Sequence, residues 1–158
     1  MPGFLFTNAF LLKVLDNKNM DTILSILTPK KIAAYLNENF TVRQALESFD
    51  AHRFTIVPLV DNDGLYTGTL SEGDILRFMK NTANFNLKIA EAVLVKDIDR
   101  YRPYKSLRVD ALLNDFFSLS LEQNFIPVVD DRGTFIGIIK RKEIIRYLSE
   151  KSNLQFND

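Results

Sequence analysis

The sequence predicts an α/β protein of two similar repeats, each of the β-α-β-β-α type, packed through their sheets with pseudo-two-fold symmetry. The first observation behind this prediction is an internal match: residues 57–68 align with residues 126–137 at a constant offset of 69, and the Pro, one Asp and two Gly residues coincide. The second is that apolar periods and turn residues follow the same order in both copies. The third is size, because a copy of roughly 50 residues is too short to bury a full core alone.

Each element of the first copy follows from a local pattern. Thr41 is a favourable N-cap for an amphipathic helix. The β-branched run 55–60 predicts a strand, an Asp-Asn-Asp-Gly stretch predicts a turn, and 65–70 is the returning strand. Ser71 then caps a second helix. The second copy repeats this order of helix, strand, turn, strand and helix.

Upstream of the strands the two copies align at a different offset. Ala45-Leu46 lies over Ala111-Leu112 at an offset of 66. Because the offset rises from 66 here to 69 in the strands, the alignment predicts three additional residues in the first helix of the second copy. It also makes Asp99 the counterpart of Ala33.

The same patterns divide the chain into five segments. We expect an N-terminal helical segment at 1–27, a first repeat at 28–80, a connector at 81–96, a second repeat at 97–148 and a polar C-terminal tail at 149–158. From about Asn8 the N-terminal segment has apolar residues at helical spacing. Its apolar face would cover the repeats or bind a second subunit.

Composition and charge exclude several classes of function. Twenty Lys and Arg balance twenty Asp and Glu, and a net charge of zero does not favour nucleic acid or an anionic membrane as partners. No apolar run approaches the roughly 18–20 residues that span a bilayer. The chain has no cysteine and one histidine, His52. We therefore expect a cytoplasmic protein that is not an enzyme and that uses no metal and no cofactor.

The tandem pattern resembles the CBS domain family over about residues 28–148. Each copy has a hydrophobic-Pro-hydrophobic-hydrophobic-Asp strand and a Gly turn, and the first copy opens its last helix with Gly-x-x-Ser-x-x-Asp at 68–74. The resemblance implies paired repeats with two symmetric clefts, adenine nucleotide ligands and homodimers. More closely, the chain is similar to small stand-alone family members of Gram-positive bacteria that bind cyclic di-AMP. The matching positions are Lys31, Ala33, Arg141 and Lys142, whereas Lys140 replaces a hydroxyl residue.

The resemblance implies two nucleotide-binding sites, each where the helix-opening segment of one copy faces the segment that leads into the other. The first cleft would be formed by Lys31, Ile32, Ala33, Phe54, Thr55, Ile138, Lys140, Arg141, Lys142 and Glu143. The second cleft would be formed by Thr69, Ser71, Asp74, Ile98, Arg100, Asn124 and Phe125. We favour the first cleft for an anion, because the small Ala33 leaves room for a base and Asp99 would repel an anion.

The helix openings have a chemistry of their own. Free N–H groups and the helix dipole favour an anion at a helix N-terminus, where Ser71 and Asp74 offer a hydroxyl and a carboxylate to phosphate or ribose. The alternative is that Ser71 is only an N-cap and Asp74 its partner. In the second copy Lys140, Arg141 and Lys142 oppose the helix dipole, so they either bind an anionic ligand or face water.

These features predict a stand-alone regulatory protein that binds an adenine nucleotide, either cyclic di-AMP or AMP, ADP or ATP. Binding would change how the repeats pack and so signal to an unidentified effector protein in trans. The alternative is a ligand-free interaction module that dimerises through its helices. The apolar segment 116–121 would then serve core or dimer packing.

Overall fold

The computed structural model describes residues 18–152, so residues 8–17 of the predicted N-terminal helix and 153–158 of the predicted tail lie outside the described part. Within it the helices are α1 at 18–26, α2 Val42–His52, α3 Glu72–Asn81, α4 Leu87–Ala92, α5 Leu113–Ser120 and α6 Arg141–Ser152. The strands are β1 Thr28–Pro29, β2 Leu36–Asn37, β3 Ile56–Val60, β4 Tyr66–Ser71, β5 Leu107–Arg108, β6 Phe125–Val129 and β7 Phe135–Lys140. The predicted α/β class is confirmed.

Capping residues determine where the helices of the first repeat begin. Thr41 Oγ1 accepts the N–H of Gln44 at 3.2 Å, and the Gln44 side chain accepts the N–H of Thr41 at 2.9 Å. This reciprocal pair is a capping box, and Ser71 with Asp74 forms the same arrangement at α3. The predicted N-caps of both helices are confirmed.

Each repeat builds one sheet around its central hairpin. β3 and β4 pair antiparallel, and β2 adds parallel to β3. β6 and β7 pair in the same way, and β5 adds parallel to β6. β1 is the first strand of the first repeat but pairs with β7, where Thr28 lies opposite Ile138 and Pro29 opposite Gly137. The first residues of the first repeat therefore lie in the sheet of the second.

The two repeats meet around a pseudo-two-fold axis between their hairpin turns. Leu65 bridges Thr134, which is its own counterpart at the offset of 69. Beside this bridge the N–H of Phe135 donates to the carbonyl of Gly64 at 2.9 Å. One buried cluster contains residues of both repeats: Val60, Phe125, Phe135 and Ile138, with Ala33, Ile56, Tyr66 and Tyr104 packed against it. We call it the inter-repeat cluster; two larger clusters fill the individual repeats.

The register of the sheets corrects the alignment upstream of the hairpins. Leu36 pairs with Leu59, and Leu107 pairs with Val128. Because Leu59 and Val128 are counterparts, the offset at the first strands is 71, not 66. The prediction of a longer first helix in the second repeat is wrong: α5 has 8 residues and α2 has 11. Leu112, at the N-cap of α5, makes no side-chain cap bond, so the feature that starts α2 at Thr41 is missing there.

The corrected offset changes which residues correspond in the two clefts. The counterpart of Ala33 is Tyr104, not Asp99 as predicted. Both Ala33 and Tyr104 pack against the inter-repeat cluster, as residues at equivalent positions should. Asp99 is exposed.

The two ends of the described chain are helical. Ile23 of α1 is fully buried in the core of the second repeat, so this part of the N-terminal segment covers that repeat. Residues 149–152, predicted as tail, form the last turn of α6 because Ser149 is buried and Ser152 Oγ donates to the carbonyl of Leu148 at 2.8 Å. Among residues 18–152, no helix has the length and apolar character needed to cross a membrane.

Candidate functional site

The second cleft is built around the carboxylate of Asp74, in the first turn of α3, which is only 4% exposed. Its Oδ2 accepts the N–H and the hydroxyl of Ser71 at 2.9 and 2.8 Å. Its Oδ1 accepts Arg77 Nη2 at 2.7 Å and the N–H of Tyr101 at 2.9 Å. The bond from Tyr101 crosses between repeats, so the helix opening of the first repeat contacts the segment that leads into the second.

Asp74 is held in its charged form by these bonds. Burial opposes ionisation, but the hydrogen bonds from Tyr101, Ser71 and Arg77 outweigh it and hold the pKa of Asp74 below the usual aspartate value. Each carboxylate oxygen already accepts two hydrogen bonds. A ribose hydroxyl would have to displace one of these partners to bind Asp74.

Residues 98–105, the leading segment of the second repeat, also contact β4 through Tyr104. The N–H of Tyr104 donates to Thr69 Oγ1 at 2.8 Å, and the hydroxyl of Tyr66 donates to the Tyr104 carbonyl. Burial raises the pKa of the Tyr66 phenol, which keeps that hydroxyl protonated. The Tyr104 ring packs on Phe125 with 4.9 Å between centroids. Tyr104 therefore contacts two predicted site residues, Thr69 through a hydrogen bond and Phe125 through its ring.

Two further side chains fix the same leading segment. Arg100 Nη1 donates to the carbonyl of Thr67 at 3.0 Å. The buried amide of Gln123 binds Lys105 on both sides: its Oε1 accepts the N–H at 2.8 Å and its Nε2 donates to the carbonyl at 3.0 Å. Arg100, predicted as a ligand contact, thus holds its own segment against β4.

The first cleft has a different leading segment, residues 28–35. After the pairing of β1 with β7, the chain makes a turn in which the carbonyl of Pro29 accepts the N–H groups of Ile32 and Ala33 at 2.8 and 2.9 Å. The turn leaves Lys31 exposed and Ile32 75% exposed. Ala33 is half-buried against the inter-repeat cluster. A small side chain therefore lies at the position that Tyr104 occupies in the second cleft.

β7 directs one cation towards the first cleft. Successive residues of a strand face opposite sides of the sheet. Ile138 packs in the inter-repeat cluster, and Ile139 packs in the core of the second repeat. Lys140 lies on the same side as Ile138 and is exposed, as is Lys142. Lys140 thus lies at the position that Ser71 has in the second cleft.

Arg141 interacts with the neighbouring helix α5, and Glu143 interacts with a residue of its own helix. Arg141 Nε donates to the carbonyl of Ser120 at 2.6 Å, at the C-terminal end of α5. Glu143 accepts Arg146 Nη1 at 2.6 Å, three residues along α6. Lys140 therefore lies on the face shared with Ala33 and Ile138, whereas Arg141 is bound to the end of α5.

Four predicted site residues have structural roles. Phe54 packs against the core of the first repeat, and Ile98 is buried in that core. The carbonyls of Thr55 and Asn124 accept the first N–H groups of α3 and α6, at 3.0 and 2.9 Å. The structure therefore does not bring the Phe54 or Ile98 side chains into a cleft.

Sequence reasoning missed Tyr101, Tyr104 and Gln123. Tyr104 falls over Ala33 only at the offset of 71, and that offset becomes visible only through the pairing of β2 and β5. Gln123 is buried at 6% exposure, and its place in the first repeat is taken by the apolar Phe54. A polar amide at a position that is apolar in the first repeat was the signal in the sequence that Gln123 hydrogen-bonds to a neighbouring backbone.

Two sheets related by a pseudo-two-fold axis, with a cleft on each side, define a tandem α/β module. The sequence profile of the CBS domain matches residues 14–81 and 95–150 of the chain. The chain belongs to the CBS domain family.

A curated relative shares this region with the chain. The homoserine O-acetyltransferase of Methanohalophilus mahii is 31% identical over 142 residues. The match covers 87% of the chain and 28% of that protein. The chain therefore spans less than a third of the relative's length.

Similar structures include stand-alone CBS proteins. A CBS domain protein from Streptococcus pneumoniae TIGR4 has a TM-score of 0.74 and 23% identity, covering 92% of this chain and 98% of that one. CbpB of Listeria monocytogenes in complex with c-di-AMP has a TM-score of 0.68 and 18% identity, with 84% and 98% covered. CBSX2 in complex with AMP has a TM-score of 0.62 and 24% identity, with 81% and 96% covered. These similarities show the CBS-pair fold.

Proposed function

We propose that the chain is a regulatory CBS pair that binds an adenine nucleotide in the first cleft, with cyclic di-AMP as the first candidate and AMP, ADP and ATP as the others. The observation that carries the proposal is the position of Lys140, on the face of β7 that also carries Ile138 and lies beside Ala33. Binding would change how the repeats pack and so alter the surface presented to an effector protein in trans. That change requires different affinities for the two packing states.

The local charge supports an anionic ligand. Residues 28–35 and 138–146 carry six cationic residues and one acidic residue, although the whole chain has a net charge of zero. Cations at the start of α6 oppose the helix dipole. A phosphate at this place would interact favourably with the lysines and with the helix N-terminus.

The apolar surroundings support a base as the other half of the ligand. Ala33 and Ile138 are apolar, and a flat base favours apolar walls next to a few polar groups. The related CbpB and CBSX2 structures contain c-di-AMP and AMP respectively. An adenine nucleotide satisfies both the charged and the apolar part of the first cleft.

A thermal-shift series with cyclic di-AMP, AMP, ADP and ATP tests the proposal. A ligand at 100 times its Kd stabilises the native state by about 2.7 kcal/mol. For a chain of this size that corresponds to a rise in Tm of about 5–10 °C. We expect at least one of the four nucleotides to give such a rise. If none raises Tm at millimolar concentration, the proposed function is wrong.

A charge reversal at Lys140 tests the location. Lys140 is exposed, so Lys140→Glu should leave the fold intact. It should weaken the binding of the stabilising nucleotide at least tenfold, about 1.4 kcal/mol, because an attraction becomes a repulsion. Lys88→Glu, at an exposed position of α4, is the matched control and should retain affinity. Unchanged affinity in Lys140→Glu would exclude the first cleft.

Two grooves with exposed leucines favour homodimerisation as a second role. The groove between α2 and α3 has a volume of about 860 Å³, and the groove between α5 and α6 about 480 Å³. Leu76 at the first is 66% exposed, and Leu121 at the second is 83% exposed. We propose that these helix faces join two copies of the chain, since exposed apolar patches mark interaction surfaces.

Light scattering tests the dimer. The wild type should be a dimer, and the double variant Leu76→Asp with Leu121→Asp should be a monomer. A monomeric wild type would contradict the proposal.

A further inference from the structure

The two clefts share one topology and differ in the segment that covers them. In the second cleft, side chains bind the leading segment at Tyr101, Tyr104 and Lys105. In the first cleft, the leading segment pairs through its backbone and then turns at Pro29, with Ala33 beside the cleft. The family resemblance implies a nucleotide in each cleft, so the two leading segments differ at the positions where the nucleotides are expected.

We infer that the second cleft is closed by the chain's own residues 100–105, so that the module takes one nucleotide per chain, in the first cleft. The stoichiometry rests on the proposed function. The closure is a property of the protein without ligand and can be tested separately.

The carboxylate of Asp74 is saturated by hydrogen bonds from the chain itself. Its four hydrogen bonds come from Ser71, Arg77 and Tyr101. The N–H of Tyr101 occupies the acceptor that a ribose hydroxyl would need. A buried, ionised carboxylate that lost this donor would be destabilised unless the ligand replaced it. Asp74 therefore acts as a positioning residue for the leading segment.

Tyr104 takes up the space that a base would need in the second cleft. Its ring packs on Phe125 at the position where the first cleft has only the methyl group of Ala33. Its N–H binds the hydroxyl of Thr69 directly, at 2.8 Å, which leaves no room for a ligand between them. A base in the second cleft would require the ring and the backbone of Tyr104 to move together.

Side chains hold the leading segment from both sides. Gln123 binds the N–H and the carbonyl of Lys105, while Arg100 binds the carbonyl of Thr67.

A cavity of about 440 Å³ lies beside the segment. It is lined by Arg77, Phe78, Asn81, Thr82, Asp99, Arg100 and Tyr101. Asp74 is buried and does not line that cavity.

Titration calorimetry and amide hydrogen exchange test the inference on the full chain. With cyclic di-AMP and with AMP as probes, we expect no more than one bound molecule per chain. The Tyr101 and Tyr104 amides should exchange slowly in the free protein and equally slowly in the saturated protein. Two molecules per chain, or a tenfold faster exchange at Tyr101 on saturation, would overturn the closure.

Variants test the closure without any ligand. Asp74→Ala removes the acceptor and should speed the exchange of the Tyr101 amide at least tenfold. Glu143→Ala, at the equivalent position of the second repeat, is the matched control and should leave that amide unchanged. If Asp74→Ala does not fold, Thr69→Val should speed the Tyr104 amide in the same way. Unchanged exchange in the variant that folds would overturn the inference.

The two proposals fail separately. If neither probe binds, the proposed function fails for these nucleotides, and amide exchange in the variants still decides whether the cleft is closed. If a probe binds at two molecules per chain, the proposed nucleotide binding stands and the closure is wrong.

Discussion

The two clefts show how one pseudo-symmetric scaffold produces two different sites. The helix opening of the first repeat presents a carboxylate, Asp74, and that of the second repeat presents cations, with Lys140 on the cleft side. Tyr104 packs into one cleft, and its counterpart in the other is the small Ala33. The fold sets where a ligand could bind, and these few side chains decide whether the place is available.

The helix openings differ less in their internal bonds than in their links to the other repeat. Asp74 binds Arg77 and Glu143 binds Arg146, both at a spacing of three residues. Asp74 also accepts the N–H of Tyr101 from the other repeat, and its side chain is 5% exposed compared with 24% for Glu143. The carboxylate of the second cleft is therefore part of the contact between repeats, whereas Glu143 pairs along its own helix.

The largest effect is expected from removing these two carboxylates in turn. Asp74→Ala leaves the Tyr101 N–H, Ser71 and Arg77 without their acceptor and should lower the free energy of unfolding by about 3 kcal/mol at pH 7. Glu143→Ala breaks an ion pair in which Arg146 is exposed and should cost less than about 1 kcal/mol. Urea unfolding of both variants measures the difference. Equal losses would mean that the two carboxylates have the same role.

A smaller effect is expected from the tyrosines of the leading segment. Tyr104→Ala removes a ring packed on Phe125 and should cost about 2 kcal/mol, below the range for a fully buried aromatic residue. Tyr101→Ala keeps the backbone bond to Asp74 and loses a ring that is 70% exposed, so it should cost less than about 1 kcal/mol. Thermal or urea unfolding of the pair checks the order. A larger loss for Tyr101→Ala would show that the ring, not the backbone, closes the cleft.

The smallest effect is the pH dependence of the Asp74 contribution. Because the pKa of Asp74 is lowered in the folded state, its ionised form contributes stability above the usual aspartate pKa of about 3.9. That contribution is lost as the pH falls through the lowered pKa. The stability difference between wild type and Asp74→Ala should therefore shrink below about pH 4. Urea unfolding at pH 7 and pH 3 measures it, and an unchanged difference would contradict this role of Asp74.

The hairpins and the first repeat could be predicted from sequence because strong local residues mark them. Pro, Gly and Asp recur at the offset of 69, and Thr41 and Ser71 mark helix starts that the structure confirms. The alternative considered for Ser71 and Asp74, a capping pair, is the arrangement observed. Local chemistry of this kind is readable because the interacting residues lie three positions apart.

The leading segments could not be aligned for the opposite reason. The second repeat has Leu112 where the first has the N-cap Thr41, so no capping residue marks the register there. An error of five residues in the offset assigned Asp99 to the place of Tyr104. The bonds that close the second cleft join residues 18 to 35 positions apart, and no local pattern specifies such pairs.

The most direct test of the difference between the clefts is a crystal structure of the chain saturated with the adenine nucleotide that gives the largest thermal shift. We expect nucleotide density beside Lys140, Ile138 and Ala33, with the Tyr101 N–H still bound to Asp74. A nucleotide lying between Asp74 and Tyr101, with its ribose on the carboxylate and Tyr104 displaced, would contradict the account.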